Sequence, residues 1–285
     1  MKDSTDIEAI LAQLDYPYYG LGENELIVGF RGEHRDIGIV LSLKEQWLCL
    51  SSRFMPARNR ETARLYRFCL DVSFQAPMVR FALDSEAELH LKSDLPVSAV
   101  SPREVEARIK MLFGVFNTHY VDALNLLEQP DYLPDTESAL VLPQSGVDAQ
   151  PLPMEVIEHF FQQIGQEVGR VPGTMQLETA LRTDRRDVVI RIHPMPVFMV
   201  FIAELVNRPE QHPEDVHEML LRANHEIRGC KFARRENGDL VTMTSLLNQS
   251  VSAEILGSAM LNLAQVTDTF YLKTINLERD GVIMW

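Results

Sequence analysis

Apolar residues recur along the chain with two spacings, one typical of helices and one typical of strands. Residues 7–14 place apolar side chains three or four positions apart, which predicts a helix with one buried face. Residues 36–43 have an apolar side chain at every second position, which predicts a half-buried strand. Over residues 1–128 these spacings predict three helices and five strands in the order α-β-β-β-α-β-β-α. The predicted segments are residues 7–14, 25–30, 36–43, 47–51, 59–70, 78–83, 88–95 and a long helix opened by Ser101.

The long helix carries a clear start signal. Ser101, Pro102 and Glu104 lie in the pattern SPRE, in which the Ser101 hydroxyl is expected to accept a hydrogen bond from the Glu104 backbone N–H. Proline is favoured at the first helical position, because an N–H there would have no partner within the helix. The pattern therefore predicts that the helix begins directly after Ser101.

The same order of elements returns after residue 153. Phe232 follows Phe81 by 151 positions, and the apolar residues of the two closing helices align at an offset of 150, as for Val105 and Ile255. A near-constant offset over so many elements predicts two copies of one domain, whereas a solenoid would need more repeats. The predicted segments of the second copy are residues 154–164, 174–181, 188–193, 197–205, 213–229, 230–235, 240–247 and 252–277.

A stretch of different composition separates the two copies. Residues 129–153 contain five prolines and four carboxylates but no lysine or arginine, which predicts a linker. We therefore predict a first α+β domain in residues 1–128 and a second in residues 154–285. The short connections between strands favour antiparallel pairing. Each domain is expected to be an antiparallel sheet packed by helices, and the two together are expected to form a pseudo-dimer.

The charge of the chain limits its partners. The net charge is −14, and both halves carry more carboxylates than basic groups. Nucleic-acid binding relies on lysine and arginine to neutralise phosphates, so we expect no nucleic-acid partner. The N-terminal residues show no signal-peptide pattern, and the longest apolar run, residues 197–203, is too short to span a bilayer. Three distant cysteines fit a reducing compartment, so a cytoplasmic protein without a membrane partner is predicted.

The sequence shows no pattern that would indicate catalysis, a metal or a cofactor. No GxSxG or P-loop pattern occurs, and Gly20-Leu21-Gly22 lacks the third glycine and the preceding strand of a dinucleotide loop. His212, His217 and His225 are spaced by five and eight positions, which does not place two ligands on one helical face as HExxH does. We therefore predict no catalytic residue, no metal site and no cofactor.

One polar dipeptide recurs at the same place in both copies. Arg35-Asp36 returns as Arg186-Asp187, just before the second strand of each copy. A recurring Arg-Asp pair could orient a ligand, and its place before a strand also suits a role in stabilising the turn. Both interpretations stay open, so the four residues are predicted as possible polar contacts.

The third strand of each copy is apolar on both faces. The first contains Trp47 and Cys49, and the second contains Phe198, Val200 and Ile202, all with apolar neighbours. A half-exposed antiparallel strand should alternate, so both faces of these strands are expected to be covered. Helices can cover one face, and the sister copy, a second subunit or a partner polypeptide would cover the other. These five residues are predicted to form a partner-binding or inter-domain apolar surface.

The element order, the capped closing helix and the stretch LLRANHEIRGCKFA (residues 220–233) resemble two related groups of domains. These are the class I type III secretion chaperones and the related YbjN-type domains, which are often described as sensory transduction regulators. The resemblance covers both copies, although the first has Cys69 near the position of Asn224 and an insertion there. It implies an acidic, cytoplasmic, non-enzymatic protein that holds an extended segment of a partner against apolar patches.

Three functions are compatible with this sequence. The first is a non-catalytic protein-binding module, chaperone-like or regulatory, that binds another protein or an extended polypeptide segment as a monomeric pseudo-dimer or a homodimer. The second is a small-ligand sensor or enzyme with a cleft between the two copies, where Arg35, Asp36, Arg186 and Asp187 would contact the ligand. The third is a structural building block of an oligomer.

Overall fold

The computed structural model of the protein describes residues 4–57, 62–129, 131–134 and 150–281. The chain divides into two compact units. The first consists of Met1–Gln144 together with Leu220–Arg228, and the second consists of Ser145–Met219 and Gly229–Trp285. Most of the predicted linker, residues 129–153, lies outside the described residues, so the linker and the domain boundaries stay predictions.

The first half of the chain forms a six-stranded antiparallel sheet with three helices. The strand order across the sheet is β1-β2-β3-β4-β6-β5. Helix α3 packs on β4 and β6, helix α1 packs on α3, and helix α2 packs on β5 and α3. The elements are α1 (Ser4–Gln13), β1 (Tyr18–Gly22), β2 (Glu25–Arg31), β3 (Asp36–Lys44), β4 (Trp47–Pro56), α2 (Thr62–Gln75), β5 (Arg80–Leu83), β6 (Glu88–Pro96) and α3 (Pro102–Glu128).

The second half of the chain repeats the order of elements and the order of strands in the sheet. Its sheet has the order β11-β12-β10-β9-β8-β7, and helix α6 packs on β9, β10 and β12. The elements are α4 (Met154–Gln163), β7 (Gly169–Arg170), β8 (Leu177–Arg182), β9 (Asp187–Pro194), β10 (Phe198–Val206), α5 (Pro213–Glu226), β11 (Lys231–Arg234), β12 (Leu240–Leu247) and α6 (Ala253–Asp280). The predicted fold class, α+β with antiparallel sheets packed by helices in two similar halves, is confirmed.

Each half contains one strand more than predicted. The additional strands are β1 and β7, which pair at the outer edges of their sheets with β2 and β8. Pro17, Gly20 and Gly22 in and beside β1 are residues that typically end a helix and form turns, so they gave no signal of a strand. Because β1 is largely exposed, it has no buried face and therefore no apolar alternation from which it could be predicted.

The core of the first half lies between its sheet and helix α3. Leu48, Leu50 and Phe54 of strand β4 are fully buried on the face that points toward this helix. The ring of Phe54 packs edge-on against Phe81 of β5 at 4.9 Å and against Phe116 of α3 at 5.0 Å. We call this the inner face of the sheet, and the opposite face the outer face.

The closing helices of the two halves correspond at an offset of 151, so the predicted offset of 150 is wrong by one residue. Ser101 and Ser252 are their N-caps, and each hydroxyl accepts a hydrogen bond from a backbone N–H three residues later at 3.3 Å. The predicted cap at Ser101 is confirmed. The buried positions follow the same offset: Val105, Ile109, Leu112, Ala123 and Leu126 in α3 correspond to Leu256, Met260, Leu263, Thr274 and Leu277 in α6.

Candidate functional site

The outer face of the first sheet is polar at its centre. Strand register places Cys49 of β4 opposite Asp94 of β6, and Arg80 of β5 opposite Lys92 of β6. Because side chains alternate along a strand, Lys92 and Asp94 point to the same face, while Ser93 between them points to the inner face and accepts a hydrogen bond from Arg108 of α3 at 2.9 Å. Four chemically distinct groups therefore meet on one face.

The segment Leu220–Arg228, which ends helix α5, belongs to the first unit and packs on this polar centre. Arg80 donates from Nε to the carbonyl oxygen of Asn224 and from Nη2 to that of Ile227, both at 2.8 Å. Lys92 donates from Nζ to the carbonyl oxygen of His225 at 2.7 Å. The carbonyl groups at the end of a helix lack partners within the helix, so these cations satisfy them and also suit the helix dipole.

Side chains of the segment bond in the opposite direction, to the backbone of the first half. Asn224, which is fully buried, donates from Nδ2 to the carbonyl oxygen of Phe81 at 3.0 Å. Arg222 donates to the carbonyl oxygen of Asp84 at 2.7 Å. Hydrogen bonds therefore run both ways between the segment and strands β5 and β6, which fixes the segment in position.

A buried ion pair lies beneath the segment. Nη2 of Arg80 is 2.5 Å from Oδ2 of Asp94, and their side chains are 5% and 1% exposed. A buried charge is costly unless it is paired and hydrogen-bonded. Arg80 meets this requirement because it holds one carboxylate and two backbone carbonyls at the same time.

Next to this pair is a cavity of about 310 Å³, which we call the basic cavity. Its walls carry four basic and two acidic side chains, and every lining residue belongs to the first unit. The lining residues are Ser42, Lys44, Cys49, Ser51, Arg80, Lys92, Asp94, His225, Glu226, Ile227 and Arg228.

The basic cavity alters the acid-base properties of its side chains. Burial, with a contribution from Arg80, lowers the pKa of Lys92 to about 8. Burial and the charge of Lys92 lower the pKa of His225 to about 4. Burial and the carboxylate of Asp94 raise the pKa of Cys49, although Nη1 of Arg228 lies 3.1 Å from its Sγ. The cavity therefore disfavours additional positive charge and also a thiolate at Cys49.

The outer face of the second sheet carries paired charges instead. Arg191 contacts Glu178 at 3.3 Å and Glu204 at 3.0 Å, and Arg235 contacts Glu204 at 3.4 Å. These residues line a cavity of about 360 Å³ together with Arg186, Asp187, Val188, Val189 and Ile202. Its three arginines and three carboxylates balance in charge.

The five residues predicted as an apolar surface all lie on outer faces. Trp47 is half-buried at the start of β4, and Cys49, Phe198, Val200 and Ile202 are buried. Cys49 lines the basic cavity, and Ile202 lines the cavity of balanced charge in the second unit. The role of these residues in binding a partner stays a prediction.

The repeated Arg-Asp dipeptides lie at the hairpin turns between β2 and β3 and between β8 and β9. Arg186 places its guanidinium carbon 3.9 Å from the ring centre of Tyr271 in α6. Arg35 lies 5.7 Å from the ring centre of Tyr120, the corresponding position of α3. Asp187 accepts a hydrogen bond from Arg182 at 3.1 Å across its hairpin, and Asp36 lies opposite Arg31. Each arginine thus joins a turn to the closing helix, while contact of the four residues with a ligand stays a prediction.

Sequence reasoning missed Arg80, Lys92, Asp94 and the covering segment. Lys92 and Asp94 continue the polar face that Glu88 and His90 begin, so the sequence of β6 looks like that of an ordinary half-exposed strand. No local pattern could show that Arg80 lies beside them or that residues 220–228 cover them, because those contacts join positions more than 130 residues apart.

The part of the chain that the structure describes contains neither a group of metal ligands nor a helix that could span a membrane. Among the described residues, no three side chains of His, Cys, Asp or Glu come together in a way that suits a metal ion. Every helix in the described ranges is either too short or too polar to cross a lipid bilayer.

Comparison with protein families gives one match. Residues 3–120 match the model of the YbjN family, which is described as "Putative bacterial sensory transduction regulator". The predicted resemblance to YbjN-type domains is thereby confirmed for this part of the chain. The curated proteins contain no sequence that matches the chain.

Three solved structures are similar over one domain's length. The type III secretion chaperone SycH of Yersinia pestis, in complex with a stable fragment of YscM2, is 18% identical with a TM-score of 0.30, over 40% of this chain and 96% of that chain. The ExoU–SpcU complex of Pseudomonas aeruginosa is 19% identical with a TM-score of 0.32, over 40% and 94%. The ExsC–ExsE complex is 14% identical with a TM-score of 0.33, over 45% and 97%. At this identity and TM-score, the likenesses assign no function to the chain.

Proposed function

We propose that the protein is a non-catalytic binding module that holds an extended, basic segment of another protein along the exposed edge strand β1. The proposal rests mainly on Tyr19 and Leu21 of this strand, which are 74% and 55% exposed. The match of residues 3–120 to a family of transduction regulators supports a role in binding rather than in catalysis.

Strand β1 has the geometry that an added strand requires. It pairs with β2 on one side and ends the sheet on the other, so its second edge can accept main-chain hydrogen bonds from an extended peptide. Tyr19 lies opposite Ile27 of β2, whereas Leu21 lies where the register shifts between Gly20 and Gly22, so strict alternation does not extend to Leu21. Large apolar side chains on an open edge are costly in water, and a bound segment would cover them.

The charge around β1 indicates the chemistry of the segment. Asp15, Glu23 and Glu25 are all exposed near the ends of this strand. Together with the net charge of −14, they favour a partner segment that carries lysine or arginine beside apolar residues. Trp47, at the start of β4, is the half-buried member of the predicted apolar surface and offers a second place for contact.

The experiment is a binding screen on an array of short peptides, with basic-apolar and acidic-apolar members of equal length. We expect the wild-type chain to bind basic-apolar peptides and to lose them as salt increases, since exposed charges are screened. The double variant Tyr19→Asp, Leu21→Asp should lose this binding, because it removes the two exposed apolar side chains that the bound segment would cover.

The matched control is Met175→Asp, which changes a side chain that is 67% exposed in the second unit. This variant should bind as the wild type does, and circular dichroism should show all variants folded. Binding that survives in the double variant, or the absence of any bound peptide, contradicts the proposal.

Light scattering on the same samples tests the oligomeric state. It should give the mass of one chain, as proposed for a single-chain pseudo-dimer. A mass that rises with concentration favours the structural building block.

A further inference from the structure

The basic cavity has an excess of positive charge that partner binding at β1 does not use. Lys44, Arg80, Lys92 and Arg228 line it, against only two carboxylates. The whole chain has a net charge of −14, so the composition of the chain does not explain a local excess of cations. Cations that share a confined volume repel one another unless something negative lies between them.

The charge of one of the four cations, Arg80, is already neutralised by contacts within the protein. Arg80 contacts Asp94 and donates to the carbonyl oxygens of Asn224 and Ile227, so its charge is balanced inside the protein. Asp94 is in turn the carboxylate that neutralises Arg80. This pair therefore adds no net charge to the cavity.

Lys92 is different, because it is a largely buried ammonium with no carboxylate in ion-pair contact among the described residues. Its Nζ donates to the carbonyl oxygen of His225, and an ammonium has three N–H groups to donate. Burial is the main cause that lowers its pKa to about 8, and the carboxylate of Asp94 opposes this change only in part. Lys44, which is exposed at the rim, also has no ion pair within the described ranges.

We propose that the basic cavity binds the phosphate group of a small molecule, with Lys92 and Lys44 as its main cationic ligands. Arg228, which donates to Cys49 Sγ, and the hydroxyl groups of Ser42 and Ser51 complete the donors around the cavity. Lysine and arginine both bind phosphate oxygens through charge-assisted hydrogen bonds. The proposal goes beyond the proposed function, since it assigns a ligand to a different face of the sheet.

The size of the cavity limits the ligand. At about 310 Å³ it is at the lower end of the volumes that bind small molecules. A phosphate group with a few carbon atoms would fit, whereas a dinucleotide would not. The segment Leu220–Arg228 forms part of the wall, so a bound phosphate would also contact the segment through Arg228 and stabilise its packing on the sheet.

The test is isothermal titration calorimetry on the full chain in a buffer free of phosphate. The probes are inorganic phosphate and glycerol 3-phosphate, with acetate as a carboxylate of similar size. We expect one saturable site for both phosphates and a weaker response to acetate. Lys92→Met and Lys44→Met should each weaken phosphate binding by about tenfold, as loss of one charge-assisted contact does. Lys44 is exposed, so its variant keeps the test valid if Lys92→Met does not fold.

The control is Arg191→Met, which removes a cation from the balanced outer face of the second unit and should leave phosphate binding unchanged. A ¹³C NMR titration of the Lys92 side chain adds an independent readout, because bound phosphate should raise its pKa toward the ordinary value. Lack of saturable phosphate binding overturns the proposal. Equal affinity in both lysine variants and the wild type, or acetate binding as tight as that of phosphate, also overturns it.

Discussion

The two halves build the same sheet but place different chemistry on its outer face. In the first half, Arg80 lies opposite Lys92 and Cys49 lies opposite Asp94. In the second half, the same register pairs Lys231 with Met243 and Val200 with Ser245. The exchange of Lys92 and Asp94 for Met243 and Ser245 removes one cation and one carboxylate from a single strand. The buried polar cluster is thus a property of one half and is not a requirement of the fold.

The inner faces show why the outer faces are free to differ. Leu50 and Phe81 of the first half correspond to Phe201 and Phe232 of the second, and all four are buried. Burial of each such side chain contributes about 1.5–3 kcal/mol, so the inner face specifies the sheet. The outer face contributes less to folding and can carry a binding site in one half only.

The largest expected effect comes from removing the buried cation of the first half. Arg80→Met leaves Asp94 buried without its partner and two carbonyl groups of the covering segment without their donor. Loss of one partner of a buried ion pair costs about 3–5 kcal/mol. We expect a decrease of this size in the free energy of unfolding, measured by urea denaturation.

The comparison variant on the outer face of the second sheet is Arg235→Met. Arg235 contacts Glu204 at 3.4 Å, where the carboxylate side chain is 54% exposed, so the expected loss is below about 1 kcal/mol. Equal losses for the two variants would show that the two outer faces do not differ energetically.

The contrast also shows what the sequence can and cannot predict. Periodicity predicts the helices and the inner strands because burial of one face imposes it, and this is why the fold class was accessible. Strand β1 was missed since it is exposed, and the one-residue shift between α3 and α6 was missed because helical spacing tolerates either alignment. The basic cavity depends on strand register and on a segment that is distant in sequence. In the sequence, Lys92 and Asp94 look like part of the polar face of a half-exposed strand, so they gave no signal of the cavity.

A second difference between the halves lies inside the closing helices and concerns pH. His119 of α3 is buried, its ring packs against Phe68 at 5.7 Å, and neither ring nitrogen has a hydrogen-bond partner within the described ranges. At the offset of 151, the corresponding residue of α6 is Phe270, which packs against Phe232 at 4.8 Å. One half therefore buries a titratable ring where the other has a partly exposed apolar one.

Burial lowers the pKa of His119 from 6.5 to about 4, despite the opposing charge of Asp122. Between these values the unfolded chain binds the proton and the folded chain does not, so stability falls as the pH decreases from 6.5 to 4. The contribution of His119 to this loss is about 3 kcal/mol. His119→Phe should reduce the slope of unfolding free energy against pH in this window, measured by denaturation at several pH values. An unchanged slope would assign the pH dependence to other groups, such as His225.

The smallest expected effect concerns the arginines that join the hairpin turns to the closing helices. Arg186 lies 3.9 Å from the ring centre of Tyr271 and is partly buried, whereas Arg35 lies 5.7 Å from that of Tyr120 and is exposed. Cation–π attraction grows as the pair approaches and loses water, from about 0.5–1 kcal/mol at exposed sites to about 2 kcal/mol. We expect Arg186→Leu to lower the free energy of unfolding by about 1–2 kcal/mol and Arg35→Leu to lower it by about 0.5 kcal/mol, measured by urea denaturation.

The control is Arg182→Leu, which removes an exposed partner of Asp187 at the same hairpin and should change stability by less than either. If Arg35→Leu costs as much as Arg186→Leu, the closer ring contact of Arg186 adds no stability, and the turns account for both losses.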